Sequence, residues 1–122
     1  MNGNKYLADT NTFIYFLDKH PVLQPLLESE WMFSFITEIE LLGKQNISPV
    51  EIKNIHGVLS VCTKAFHVEK INEITISLKQ RYRIKLPDAL IAATALHYDI
   101  LLLTFDKDFI LIKELDLVLL EL

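Results

Sequence analysis

Apolar and polar positions alternate along this chain between two kinds of segment: short apolar runs, and longer stretches with apolar residues every three or four positions. Tyr6-Leu7-Ala8 is a run of the first kind, readable as a buried strand that ends at Asp9. Asp9, Thr10, Asn11 and Thr12 are all residue types that cap helices, and Phe13–Leu17 follows as a helix. Pro21 and Pro25 punctuate the next connection, which carries a short helical piece near Leu23–Ser29. Trp31–Ile36 reads as a second strand; Thr37 opens a helix that Gly43 closes. Ser48-Pro49-Val50-Glu51 places a cap and then Pro at the first helical position of a helix running to about Val61. Ala65–Val68 is a weak third strand. Ile71, Ile74, Leu78 and Tyr82 recur at helical spacing. Pro87 starts an Ala-rich helix through about Tyr98, Ile100–Thr104 is a fourth strand, and Val118–Leu120 is a fifth.

Strands apolar on both faces, alternating with helices, predict an α/β fold: a three-layer α/β/α sandwich around a central, mainly parallel sheet of four to five strands. In such folds the ligand crevice lies beyond the carboxyl ends of the strands, where the strand order switches direction. At 122 residues the pattern fits one domain over residues 1–122. Hydrophobic residues at 51% exclude a disordered chain, and 3 Gly with 4 Pro exclude collagen-like or linker character. The lone Cys62 can form neither an internal disulfide nor a thiolate metal site, so a reducing, cytoplasmic home is expected and Cys62 reads as a small buried apolar residue. No stretch reaches the roughly 18 uncharged apolar residues of a membrane span, and the run Met1–Tyr6 lacks the layout of a signal peptide.

Chemistry enters with the acids. Asp9 follows the first strand, Asp106 follows the fourth, Glu40 sits in the first turn of the helix after the second strand, and Asp88 sits in the first turn of the Ala-rich helix. Each has a plain structural role open to it. Asp9 suits a helix N-cap, Thr37-x-x-Glu40 a capping box, Asp88 the positive end of a helix dipole, and Asp106 a turn. All four nevertheless fall at one edge of the predicted sheet. Four carboxylates converging there require a cation, and hard oxygen donors favour Mg²⁺ or Mn²⁺ over zinc. The net charge of −4 by itself argues against nucleic acid, but without these four acids 12 acidic residues face 12 basic ones, so a phosphate-bearing substrate stays open. His20, His56, His67 and His97 are scattered and form no nucleophile set.

Leu7-Ala8-Asp9-Thr10-Asn11, Ser34-Phe35-Ile36-Thr37-Glu38-Ile39-Glu40-Leu41-Leu42-Gly43, Leu86-Pro87-Asp88-Ala89-Leu90-Ile91-Ala92-Ala93-Thr94-Ala95 and Leu103-Thr104-Phe105-Asp106-Lys107-Asp108-Phe109 together resemble, in order and over the whole chain, the motifs of PIN-domain ribonucleases, and in particular of VapC-type toxins from toxin–antitoxin pairs. The resemblance implies a metal-dependent endoribonuclease leaving 5′-phosphate and 3′-hydroxyl ends, a homodimer, and a cognate antitoxin partner. It also implies Asp9, Glu40, Asp88 and Asp106 as catalytic, metal-holding residues. Glu38 rivals Glu40; two residues apart on a helix is about 200° of rotation, so both cannot face one metal, and Thr37 and Leu41 bracket Glu40 as the family pattern does. Asn11 and Thr104 match polar supporting positions, and Asp108 a more variable acidic one.

Lys79, Arg81, Arg83 and Lys85 place four cations in seven residues directly before Asp88, suited either to guiding RNA phosphates or to complementing a helix end. Two other readings compete. A phospho-accepting receiver-like domain also gathers acids around Mg²⁺ but wants an acceptor Asp after the third strand, where this chain has Glu69-Lys70. A catalytically silent PIN-like protein-binding module would have no need of intact acids.

Overall fold

A computed structural model describes residues 5–122; the stretch 1–4, and with it most of the Met1–Tyr6 segment considered above, lies outside the described residues. In chain order the elements are β1 (Lys5–Ala8), α1 (Thr10–Leu17), a 3-10 segment (Pro21–Leu26), β2 (Glu30–Ser34), α2 (Phe35–Leu42), α3 (Pro49–Ser60), β3 (Thr63–Ala65), α4 (Glu69–Arg81), α5 (Leu86–Tyr98), β4 (Leu101–Thr104), a second 3-10 segment (Lys107–Leu111) and β5 (Leu117–Leu119). The five strands form one sheet in the order β3-β2-β1-β4-β5, every neighbouring pair parallel. The α/β/α expectation therefore holds, with the sheet wholly parallel.

Helices cover both faces because successive strand residues point to opposite sides. Leu7 and Leu102 feed a core with Ile71, Leu78, Ile91 and Ala92 of α4 and α5. Tyr6, Ala8 and Leu103 feed the other, with Phe13, Leu41, Ile55 and Leu59 of α1 to α3. The alanines of α5 let that helix lie close against the sheet: Ala89, Ala92 and Ala93 are fully buried.

Several expected boundaries move. The second strand ends at Ser34, not Ile36, because the Ser34 side chain accepts from Ile36 N and starts α2 at Phe35. Thr37 and Glu40 thus form no capping box, and Glu40 is one and a half turns into α2; Glu38 is the acid of its first turn. The third strand is Thr63–Ala65 rather than Ala65–Val68, since Phe66 and Val68 turn outward into solvent. The piece near Leu23–Ser29 begins earlier, at Pro21, with His20 Nδ1 capping Val22 N. Cys62 is half-buried, not buried, and partial desolvation pushes its thiol up to about 11.

Strand order places β1 and β4 side by side at the centre, with chain progression leaving in opposite directions from them. Their carboxyl ends flank the switch point, where open parallel sheets form a crevice.

Candidate active site

The floor of that crevice is Asp9. It follows β1 directly and caps α1 without an intervening loop: Oδ1 accepts from Thr12 N at 2.9 Å and Thr12 Oγ1 at 2.6 Å. Oδ2 accepts from Thr104 Oγ1 at 2.5 Å, at the end of β4. Asp9 is only 5% exposed. Burial raises its pKa, against the pull of hydrogen bonds from Thr104 and Thr12, and the nearby charge of Asp106 raises it further. Thr104 also accepts from Asp106 N at 2.9 Å, so one hydroxyl links the buried carboxylate to the turn that carries the next acid.

Glu40 reaches the site through another threonine. Thr10 Oγ1 donates to Glu40 Oε1 at 2.6 Å, and with its one proton so used it accepts from Thr37 Oγ1 at 3.0 Å. Glu38, two residues earlier, points away and pairs with Lys64 of β3 at 2.8 Å. The helical offset thus separates the two glutamates as the 200° argument requires.

Asp88 is in the first turn of α5, behind Pro87. Its pKa is raised, first by burial and then by the charges of Asp106, Asp9 and Glu40, against an opposing pull from Lys85. The acids singled out along the chain thus lie near enough for their charges to act on Asp88. Asp106 caps the second 3-10 segment, its Oδ1 accepting from Asp108 N at 2.8 Å. Asp88, Asp106 and Asp108 line a recess of about 180 Å³ together with Tyr82, Arg83, Ile84 and Lys85 of the α4–α5 connection and with Leu111 and Ile112.

The basic stretch divides. Arg83 and Lys85 line the acidic recess, whereas Lys79 Nζ donates to Ile84 O at 2.7 Å and Arg81 pairs with Glu114. Among the expected supporting residues, Thr104 bonds Asp9, while Asn11 is exposed at the start of α1. Thr10, Thr12 and Thr37 also bond the acids or one another; the sequence signal for Thr10 and Thr12 is the run of capping residues after Asp9, and Thr37 carries none. A receiver-like acceptor is missing, because β3 is followed by Phe66 and His67.

Among the described residues, no three His, Cys, Asp or Glu side chains stand close enough to form a ready metal cage. The donor chemistry fits a hard divalent cation all the same. The donors are carboxylates alone, and their mutual charge raises Asp88. Mg²⁺ characteristically keeps several waters and takes only one or two carboxylates directly.

A family model described as the PIN domain matches residues 6–115. No match emerges among the curated proteins. Solved structures do match. The chain is 30% identical to a chain of a toxin–antitoxin complex from Klebsiella pneumoniae, over 93% of this chain and 95% of that one, with a TM-score of 0.78. VapBC-1 from nontypeable Haemophilus influenzae is 27% identical over 94% and 97%, TM-score 0.77. VapBC2 from Rickettsia felis, bound to a DNA fragment from its promoter, shares the fold at TM-score 0.79 over 96% and 99%, with 24% identity. No helix among the described residues is long and apolar enough to cross a membrane.

Proposed function

The chain belongs to the PIN-domain family, and from that premise we propose that it is a divalent-metal-dependent endoribonuclease, one nuclease domain acting as the toxin of a toxin–antitoxin pair. The observation that carries the reading is the gathering of acids from separate segments. Thr104 bonds both Asp9 and the Asp106 amide, and Asp106 lines one recess with Asp88 and Asp108, where burial and then the charges of Asp106, Asp9 and Glu40 raise Asp88. So concentrated a negative site suits a cation that bridges it to a phosphodiester.

Asp9, Asp88 and Asp106 are the residues that would hold Mg²⁺ or Mn²⁺, with Glu40 and Asp108 contributing through water. The ion supplies Lewis acidity and a water of lowered pKa. The chain's own groups do the rest. Asp9 is fixed by Thr12 and Thr104, so its lone pairs meet the crevice in one orientation. Glu40, held by Thr10, orients the attacking water and takes its proton. Arg83 and Lys85 bind the RNA backbone beside Asp88 and offset its charge. The water oxygen bonds to phosphorus as the P–O3′ bond breaks, and the proton taken by Glu40 returns through solvent water to the leaving 3′-oxygen, leaving 5′-phosphate and 3′-hydroxyl ends.

An antitoxin would mask this site most directly by placing a basic side chain among the same carboxylates. Two surface features support protein partners. A groove of about 780 Å³ lined by Phe16, Leu23, Leu27, Val58 and Val61 is bordered by Lys19 and Lys53, and Ile14 and Ile39 are exposed on α1 and α2. The reading includes a homodimer and a cytoplasmic setting.

The test is incubation of the purified protein with RNA and Mn²⁺, with EDTA as control and the RNA ends sequenced. Metal-dependent cleavage with the stated ends is expected. Binding of a partner without cleavage would identify a silent PIN-like module instead, and a monomer by light scattering at micromolar concentration would remove the dimer.

A further inference from the structure

One cation of the basic stretch that does not line the acidic recess, Arg81, is tied into a clasp beside it. Glu114, in the turn between the second 3-10 segment and β5, uses both carboxylate oxygens: Oε2 pairs with the guanidinium of Arg81, and Oε1 accepts from Tyr82 Oη at 2.8 Å. The same Tyr82 oxygen accepts from Lys113 N at 3.3 Å, and the Arg81 guanidinium lies 5.2 Å from the centre of the Tyr82 ring. Lys79 Nζ, at the end of α4, separately donates to Ile84 O at 2.7 Å. The hydrogen bond from Arg81 holds the Glu114 carboxyl below its ordinary pKa, so the clasp is ionised at neutral pH.

The clasp joins the two walls of the recess. Residues 82–85 connect α4 to α5 and bring Arg83, Lys85 and then Asp88; residues 106–112 bring Asp106 and Asp108. Ile84, Ile112 and Leu115 pack in the core below. Apolar packing holds the two segments together but is non-directional, so it sets distance better than register. Charge-assisted hydrogen bonds from two side chains onto one carboxylate are directional and fix register. As a source of global stability the clasp is a weak device, since Arg81 and Glu114 are both substantially exposed and screened by solvent.

We propose that the Arg81–Tyr82–Glu114 clasp is a positioning device that sets the gap between the cationic wall of the recess and its acidic wall, so that an RNA phosphate docked on Arg83 and Lys85 lies in register with Asp88 and Asp106. Glu114 is thereby a positioning residue for cleavage, acting through the two loops it joins. This inference rests on the ribonuclease reading, and its test separates the two.

The experiment compares wild type, Glu114→Ala, Tyr82→Phe, the charge-swapped pair Arg81→Glu with Glu114→Arg, and Arg83→Ala. Each is measured for kcat and KM on a labelled RNA with Mn²⁺, and for amide hydrogen exchange without metal. For Glu114→Ala, kcat falls about tenfold with KM within about twofold, as small misplacements of a reacting group do. Exchange quickens at residues 82–86 and 106–113 and not in β1 or β2. The swap restores most of kcat, and Tyr82→Phe falls between wild type and Glu114→Ala. Arg83→Ala shows the opposite split, a raised KM with kcat largely kept. Unchanged kcat in Glu114→Ala, or a loss the swap does not restore, overturns the clasp. Should wild type cut no RNA under any metal, the ribonuclease reading fails and exchange alone decides. Faster exchange confined to both walls then upholds the clasp's hold on the gap, and unchanged exchange ends it. A Glu114→Ala protein that does not fold also overturns the proposal, because the clasp would then be a stability element.

Discussion

Asp9 and Asp88 stand at the same edge of one sheet, yet the fold holds them by opposite means. Asp9 is sealed: two threonine hydroxyls and a backbone amide converge on its oxygens, and it caps the first helix. Asp88 stands half-buried on the rim of an open recess, its pKa set by burial and by neighbouring charge. In the proposed function the sealed carboxylate would serve both folding and chemistry. The rim carboxylate is nearly free of structural duty beyond a favourable place at a helix N-terminus. Changes at the floor should therefore cost stability and activity together, and changes at the rim should cost activity with little or no loss of stability.

The largest separation should come from truncation. Asp9→Ala strands the Thr12 amide and the Thr104 hydroxyl proton, while the Thr12 hydroxyl keeps Leu103 O, and lowers the unfolding free energy by about 2 kcal/mol or more. Asp88→Ala changes it by about 1 kcal/mol or less. Both reduce metal-dependent cleavage by about 100-fold or more, as removal of a site's fixed charge does. Urea titration beside a cleavage assay checks the pair; equal stability losses would dissolve the contrast between floor and rim.

Next in size is the contrast between the two glutamates of α2. Glu40→Gln keeps an oxygen for the Thr10 hydrogen bond but loses the charge and the basicity, and should cost about tenfold or more in kcat. Glu38→Gln touches only the pair with Lys64 and should stay within about twofold of wild type. The reverse ranking would move the role to Glu38.

Smaller effects sharpen the rim itself. Asp106→Asn retains an oxygen for Asp108 N, so it removes charge without removing the cap. Its charge is the largest of those raising Asp88, so the variant should melt about 2 °C higher in EDTA and gain less from Mn²⁺. The pH response follows the same cause. Asp9 and Asp88 both have pKa values raised above the ordinary 3.8, so the folded state binds their protons more readily than the unfolded chain. Without metal, their unfavourable contribution is fully present above the folded values, is relieved as pH falls through them, and is gone below 3.8. Glu51 and Glu114, lowered by Lys44 and Arg81, act in the opposite sense. The difference between the melting profiles of wild type and Asp88→Asn isolates the rim, and it should shrink as pH falls from 7 towards 4.

How much of this was legible in the residues follows the same division. The parallel sheet could be read because its strands are apolar on both faces, and Asp9, Asp88 and Asp106 stood out because they follow strands or open a helix, whereas Glu40 lies one and a half turns into α2. What escaped were transitions made inside apolar runs. Trp31–Ile36 contains no polar break except Ser34, and the strand becomes a helix there, so an alternating period and a helical one cannot be told apart over so few residues. That shift also removed the capping box that would have explained Glu40 structurally. The hydroxyl scaffold was hidden for another reason: Thr10, Thr12 and Thr37 look like ordinary cap and helix residues until the folded chain brings them to the carboxylates. The basic stretch reads as one unit in sequence, yet the end of α4 turns Arg81 outward to Glu114 while Arg83 and Lys85 line the recess.

The hydrogen bond from Thr104 to Asp9 joins positions 95 residues apart. A ribosome adds roughly 5–20 residues per second, N-terminus first. Asp9 therefore emerges on the order of 5–20 s before the hydroxyl that orients it. Glu40 follows without its full company, Asp88 later still, and Asp106 arrives after β4. Parallel pairing of β1 with β4 spans the same distance, and non-local pairing of that kind forms late. An unfinished chain consequently carries acids but no crevice, and translation itself withholds the crevice until β4 and Asp106 have emerged.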